Sequence, residues 1–127
     1  RNLTIGVHNI AIGVNSLSTT TTGGLNVAIG YNSLSSFQPS VSNTGSNTCV
    51  GYLSGSGTTT GVDNTFIGAD TGTTNSITGS NLTCLGHGAE PSSASATNEV
   101  TLGDSNVATL RCGATTIASL SDERDKT

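Results

Sequence analysis

The sequence predicts an all-β fold in which short strands stack as a solenoid or β-roll, in the manner of a parallel β-helix. Three observations predict it. First, the pentapeptide Asn26-Val27-Ala28-Ile29-Gly30 is rewritten along the chain. It returns as Asn2-Leu3-Thr4-Ile5-Gly6, Asn9-Ile10-Ala11-Ile12-Gly13, Asn47-Thr48-Cys49-Val50-Gly51 and Asn64-Thr65-Phe66-Ile67-Gly68. Two late versions carry one extra residue, Asn81-Leu82-Thr83-Cys84-Leu85-Gly86 and Asn98-Glu99-Val100-Thr101-Leu102-Gly103. Second, the closing glycines fall at 6, 13, 30, 51, 68, 86 and 103, so the steps are 7, 17, 21, 17, 18 and 17. A period near 17 with one short strand per copy is the signature of stacked repeats. Third, 17 Gly, 18 Ser, 22 Thr and 12 Asn make up more than half of the 127 residues, while 32% are hydrophobic and 3% aromatic. That is too little apolar surface for a compact globular core to offset chain entropy. Disorder is the rival, but only 9% of the chain is charged and the branched aliphatics keep fixed offsets from glycine, which disordered chains do not show.

Side chains of a strand alternate, so the residues one and three before each glycine share a face. The position before glycine reads Ile5, Ile12, Ile29, Val50, Ile67, Leu85, Leu102, and the position three before reads Leu3, Ile10, Val27, Thr48, Thr65, Thr83, Val100. The opposite face reads Thr4, Ala11, Ala28, Cys49, Phe66, Cys84, Thr101. The aliphatic column Ile5 to Leu102 is expected to fill the inside of each coil as its structural core, and the mostly small column to face a closely approaching neighbour. Glycine ends each strand at a tight corner. A further small column three residues later (Asn9, Ser16, Ser33, Ser54, Thr71, Ala89, Asn106) predicts a second short strand or a stacked corner. Polar inserts at 18–24, 35–46, 55–63 and 73–80 have the variable length of loops on one face of a solenoid. Asn at each strand start suits a side-chain ladder or an Asx-turn. The first two copies are too close for a full coil. Either the first is the facing strand of the same rung, or that end is irregular. After Gly103 two more short strands are expected, at 107–112 and 116–120, before the charge cluster Asp122-Glu123-Arg124-Asp125-Lys126 marks a boundary.

Net charge is −4 and the isoelectric point about 4.7. No basic patch speaks for nucleic acid, and no apolar run approaches the roughly 20 residues of a membrane span. The first residue is Arg1, so the chain is expected to be a piece of something longer. Cys84 and His87 have ligand-like spacing, but with Cys49 they still want a fourth zinc ligand, so small buried thiols are expected instead. No disulfide is expected between Cys49 and Cys84, since two rungs would separate them by about 9–10 Å where a disulfide needs Cα atoms within about 7 Å. Asp63 and Asp70 are the candidate hydrolytic pair, without an aromatic platform. No cofactor is expected.

The tail carries a resemblance. The run 98–106 followed by Thr109-Leu110-Arg111-Cys112 resembles the stalk end of phage tail fibres and tailspikes. Ser121-Asp122-Glu123-Arg124-Asp125-Lys126 is similar to the opening motif, Ser-Asp-x-Arg-x-Lys, of their self-cleaving intramolecular chaperone domain of the endosialidase type. The repeats also resemble the arrays of such fibres and, more weakly, the head of trimeric bacterial adhesins. The resemblance implies three interwound chains and cleavage between Ser121 and Asp122 by a downstream domain, with Lys126 a possible helper that could activate the Ser121 hydroxyl. In the chain alone, Lys126 is expected to stay charged and the tail to be inert.

These observations imply a shaft at 1–103, connecting strands at 104–121 and the start of a chaperone domain at 122–127. The expected function is structural: the distal shaft or receptor-facing part of a viral tail fibre, a homotrimer on the virion, outside the cell, engaging a host receptor or glycan. It is not expected to be an enzyme. The alternatives are an adhesin head and a glycan-cleaving tailspike segment.

Overall fold

A computed structural model describes residues 6–111 and 113. Six short strands form one sheet in chain order: β1 (Ile10–Ile12), β2 (Val27–Ile29), β3 (Thr48–Val50), β4 (Thr65–Ile67), β5 (Leu82–Leu85) and β6 (Glu99–Leu102). Every pair is parallel, and the register matches Ile10 with Val27, Val27 with Thr48, Thr48 with Thr65, Thr65 with Thr83 and Thr83 with Val100. The chain is therefore a parallel β-solenoid of about five turns, with no helix among the described residues. We number each coil after its strand.

The faces are the reverse of the sequence expectation. Ala28, Cys49, Phe66 and Cys84 point inward and are buried, whereas Ile12, Ile67, Leu85 and Leu102 are exposed and Ile29 and Val50 half-buried. Ile5 lies outside the described residues. The reason is the Asn ladder. Asn26, two residues before Ala28 and so on its face, is fully buried, as are Asn47 and Asn64. Asn9 Oδ1 accepts from the Asn26 N–H at 3.0 Å, Asn26 Oδ1 from Asn47 N–H at 3.1 Å, Asn47 Oδ1 from Asn64 N–H at 3.0 Å, and Asn64 Oδ1 from Leu82 N–H at 2.9 Å. The amide groups of Asn9, Asn47 and Asn64 donate to the carbonyls of Gly23, Gly61 and Gly79 at 2.8–3.1 Å. A ladder that satisfies backbone groups of the next coil must sit inside, and alternation then sends the aliphatics out.

The column after the strand is a stacked corner. Ser16, Ser33 and Ser54 donate to the carbonyls of Ala28, Cys49 and Phe66 at 2.7–3.0 Å, and Thr71 to Gly86 at 2.6 Å. Successive coils approach so closely here that a Cβ on Gly30, whose φ is +135°, would collide with the Gly51 carbonyl. Only glycine meets both demands. Gly6 stacks against Gly23 and donates to the Thr21 carbonyl at 3.1 Å. It is thus a corner on the far side of coil 1, which explains the seven-residue step. The four extra residues of the 21-residue coil leave the wall between Pro39, whose carbonyl accepts from Thr22, and Asn43, whose N–H donates to Thr22. The rest of that coil's insert and the other inserts form the far wall, from which Phe37 and Ile77 reach into the core.

Interior volume is shared between columns. Leu17 and Leu34 hold φ near 50° and bury their side chains in the coils around Ala28. At the matching positions beside Phe66 stand Gly55 and Gly72, and a Cβ on Gly72 would lie 2.9 Å from the Phe66 ring.

Two measurements check this account. Asn47→Ala strands the Asn64 N–H and the Gly61 carbonyl inside, and should cost about 3 kcal/mol, whereas Asn75→Ala, exposed, should cost under about 0.5 kcal/mol; denaturation midpoints compare them. Gly72→Leu should overpack by about 2–3 kcal/mol and Phe66→Ala should leave a cavity costing about 3–5 kcal/mol. Combined, they should transplant the solution of coils 1 and 2 and recover at least ~2 kcal/mol of the sum. Additivity would refute the volume exchange.

Candidate functional site: the outer face of the sheet

The inverted faces leave two columns on the outside, one wholly aliphatic and one of aliphatic residues and Thr. They run Ile10, Val27, Thr48, Thr65, Thr83, Val100 and Ile12, Ile29, Val50, Ile67, Leu85, Leu102, with no charged residue in either. Exposure reaches 59% at Ile12 and 68% at Val100. The adjoining corner, one residue past each glycine, adds Val14, Tyr31 and Tyr52. The two tyrosine rings stack with centroids 5.6 Å apart and planes 12° from parallel. Leu25 borders the opposite side. With about 90 Å² open on each of ten large side chains, the surface is on the order of 900 Å², above the roughly 300–600 Å² of the largest apolar patch on an ordinary monomer.

Toward the C-terminal end the corner changes character. Ala69, His87 and Asp104 continue the tyrosine column, and His87 Nε2 lies 3.7 Å from Asp70 Oδ2 in an exposed pair. Glu90 reaches back one coil, accepting from the N–H and hydroxyl of both Thr73 and Thr74 at 2.6–3.0 Å. Glu99 accepts from the N–H and hydroxyl of Ser92, and these bonds hold its carboxyl below the usual carboxylate range. The side-chain amide and N–H of Asn106 do the same for Asp104, helped by His87.

The sequence candidates are not brought together. Cys49 and Cys84 share the inward column with Phe66 between them, and both are free and buried. Burial pushes the Cys49 thiol up and the Cys84 thiol up to about 11, the latter moderated by a hydrogen bond with Thr101. Neither offers a thiolate at neutral pH. His87 sits on the outer corner, away from both. Among the described residues no three His, Cys, Asp or Glu side chains converge as a metal-binding set. Asp63 and Asp70 lie beyond opposite ends of β4, each on a left-handed backbone (φ 59° and 55°), and the charged partner of Asp70 is His87. Ser121, Asp122 and Lys126, and the expected strand at 116–120, lie outside the described residues; no strand is formed over 107–111. The tyrosine stack was the feature sequence reasoning missed, although the column one past each glycine (Val14, Tyr31, Tyr52) displays it.

No family model matches the sequence, and no match emerged among curated proteins or solved structures.

Because the folded pKa values of Glu99 and Asp104 are depressed, their stabilisation is present above the ordinary carboxylate range and lost as pH falls through the folded values, below about pH 4. The groups near Glu99 are Glu90, buried Cys84 and the Ser92 and Thr101 hydroxyls. Hydrogen exchange, corrected for intrinsic rates, should show residues 99–106 loosening between pH 6 and pH 3 before residues 47–54 do. Simultaneous loosening would count against it.

Proposed function

We propose that this chain is a structural segment of a viral tail fibre, its distal shaft or receptor-facing part, in which three copies pack their outer sheet faces around a common axis. One observation carries the reading: an outer sheet face with no charged residue in its two columns which, with the apolar residues at its borders, has about the area per partner, roughly 800 Å², that stable interfaces bury. A rod of this kind needs no interior chemistry; it needs length, rigidity and a partner for each outer face. Three as the number of chains, the virion as the place, and a host receptor or glycan as the target rest on the resemblance of 98–112 and 121–126 to fibre stalks and their chaperones. The same resemblance favours a fibre over an adhesin head, whose repeats would look alike. The chain itself catalyses nothing in this proposal, and a downstream domain would cut between Ser121 and Asp122.

Sedimentation should give three chain masses at micromolar concentration. Ile29→Asp and Ile67→Asp each place an unpaired charge in the buried interface, a cost of about 3 kcal/mol per copy or more, and should weaken association at least 100-fold while the coil keeps its β signature. Ser42→Asp, on the exposed bulge of the 21-residue coil, should change neither. A wild-type monomer would sink the proposal. In a precursor with its downstream region intact, mass spectrometry should find a product ending at Ser121.

A further inference from the structure

We propose that β6 and the corner after it form a cap that ends the solenoid and refuses a further strand, so that copies of this chain associate side by side and not end to end. The interior columns that reach coil 5 as apolar residues, Leu82, Cys84 and Ala89, all turn polar or charged together in coil 6. The inward strand column passes from Ala28, Cys49, Phe66 and Cys84 to Thr101. The ladder column, Asn through coil 4 and Leu82 in coil 5, becomes Glu99. The buried corner column becomes Asn106, which is exposed.

The backbone departs at the same place. The strand-ending glycines hold φ of 128–139° through Gly68 and 110° at Gly86, but 74° at Gly103. The corner bonds that tie Leu17 to Ser33, Leu34 to Ser54, Gly55 to Thr71 and Gly72 to Ala89 have no successor across coils 5 and 6 among the described residues. The turn bond to the glycine carbonyl, made by Ser16, Ser33, Ser54 and Ala89, is replaced by one from Val107 to the Asp104 carbonyl. An open recess of about 480 Å³ lies at this end, lined by Glu90, Thr101 and Asp104 among others.

The chemistry of refusal follows from the ladder. An Asn at the strand start accepts the N–H of the next coil through Oδ1 and donates from Nδ2 to that coil's far corner carbonyl, as Asn64 does to Leu82 and Gly79. Glu99 accepts but cannot donate, so an added coil would bring its corner carbonyl against a carboxylate and bury that charge unpaired. Its oxygens are already committed to Ser92 and Thr101. An inward-pointing charge is one of the ways natural sheets blunt an edge that would otherwise template pairing, and terminal repeats with a polar end face do the same for solenoids. At the opposite edge, β1 keeps the residues of an ordinary coil: Asn9, Ala11 and Ser16.

The test restores an ordinary coil with Glu99→Asn, Thr101→Ala and Asn106→Ser. Light scattering over a 100-fold concentration range should give one fixed mass for the wild type, whatever its number of chains. The triple variant should form concentration-dependent multiples of that mass. A folded triple variant that keeps the wild-type mass throughout would overturn the cap, as would a wild type that itself forms multiples. Should the triple variant fail to fold, Glu99→Asn alone is expected to show the first doubling, and its absence counts equally against the proposal. Hydrogen exchange on the wild type supplies a readout independent of variants. The amides of residues 99–102 directed away from β5 should exchange unprotected, and protection equal to that of β3 would mean the edge is already covered.

Discussion

The narrowness of the coil governs this structure. About 17 residues per turn bring the strand and the far wall so close that the interior admits one layer of side chains between them. Much of that layer is used for hydrogen bonding. Buried Asn and Ser side chains of one coil hold N–H and carbonyl groups of the next, because a corner that leaves the sheet ladder cannot leave its polar groups without partners. The glycine column follows from the same constraint, since the corners stack at backbone contact. What remains for apolar packing is a thin thread in which Leu17, Leu34, Phe37, Phe66, Ile77 and Leu82 are set among the small Ala28, Cys49, Cys84 and Ala89.

That thread explains why the repeat is irregular where it could have been uniform. A large residue on the strand column forces glycine at the corner column, as at Phe66 with Gly72, Gly55 making room for the Cys49 sulfur as well as the ring, and a small one allows Leu there, as with Ala28 between Leu17 and Leu34. Leu17 and Leu34 hold a left-handed backbone that costs roughly 1–2 kcal/mol, offset by burying a side chain worth about 1.5–3 kcal/mol. The coil therefore conserves enclosed volume and lets residue identity vary.

The period, the strands and their register were legible in the sequence, because the glycine that ends each strand is fixed by sterics and the aliphatics keep their offsets from it. Which face is inside was not. Alternation shows that Ile29 and Ala28 lie on opposite faces, and the larger aliphatic residue is the natural choice for a core. The decisive signal was the Asn, which shares parity with Ala28 and not with Ile29; once a ladder is admitted, the small column has to be the inner one. The extra residue of the late copies misled in a second way. Asn81 and Asn98 look like ladder members, but the register puts Leu82 and Glu99 in that column. Of the candidate site, the outer face was visible as two columns and assigned to the wrong side, while the tyrosine stack required knowing that consecutive corners superpose.

The inversion changes what holds the chain together. A coil with Ile and Val inside would draw its hydrophobic stabilisation from its own folding. Here that surface is left on the outer sheet and, with its corner residues, comes to the order of 900 Å², while the inside combines its buried apolar residues with directional bonds whose net worth is only about 1 kcal/mol each. Removing the outer face from water would be a large reserve of stability, and in the assembly proposed above it would become available only on association, linking folding to assembly by mass action. The two faces of one strand then obey different rules. The inner face is intolerant of any volume change that is not matched at the corner, whereas the outer face, in the proposed assembly, would tolerate exchange among aliphatics but not a charge. A chain built this way can be lengthened by adding coils without enlarging its core, provided that each added coil brings its own share of outer face.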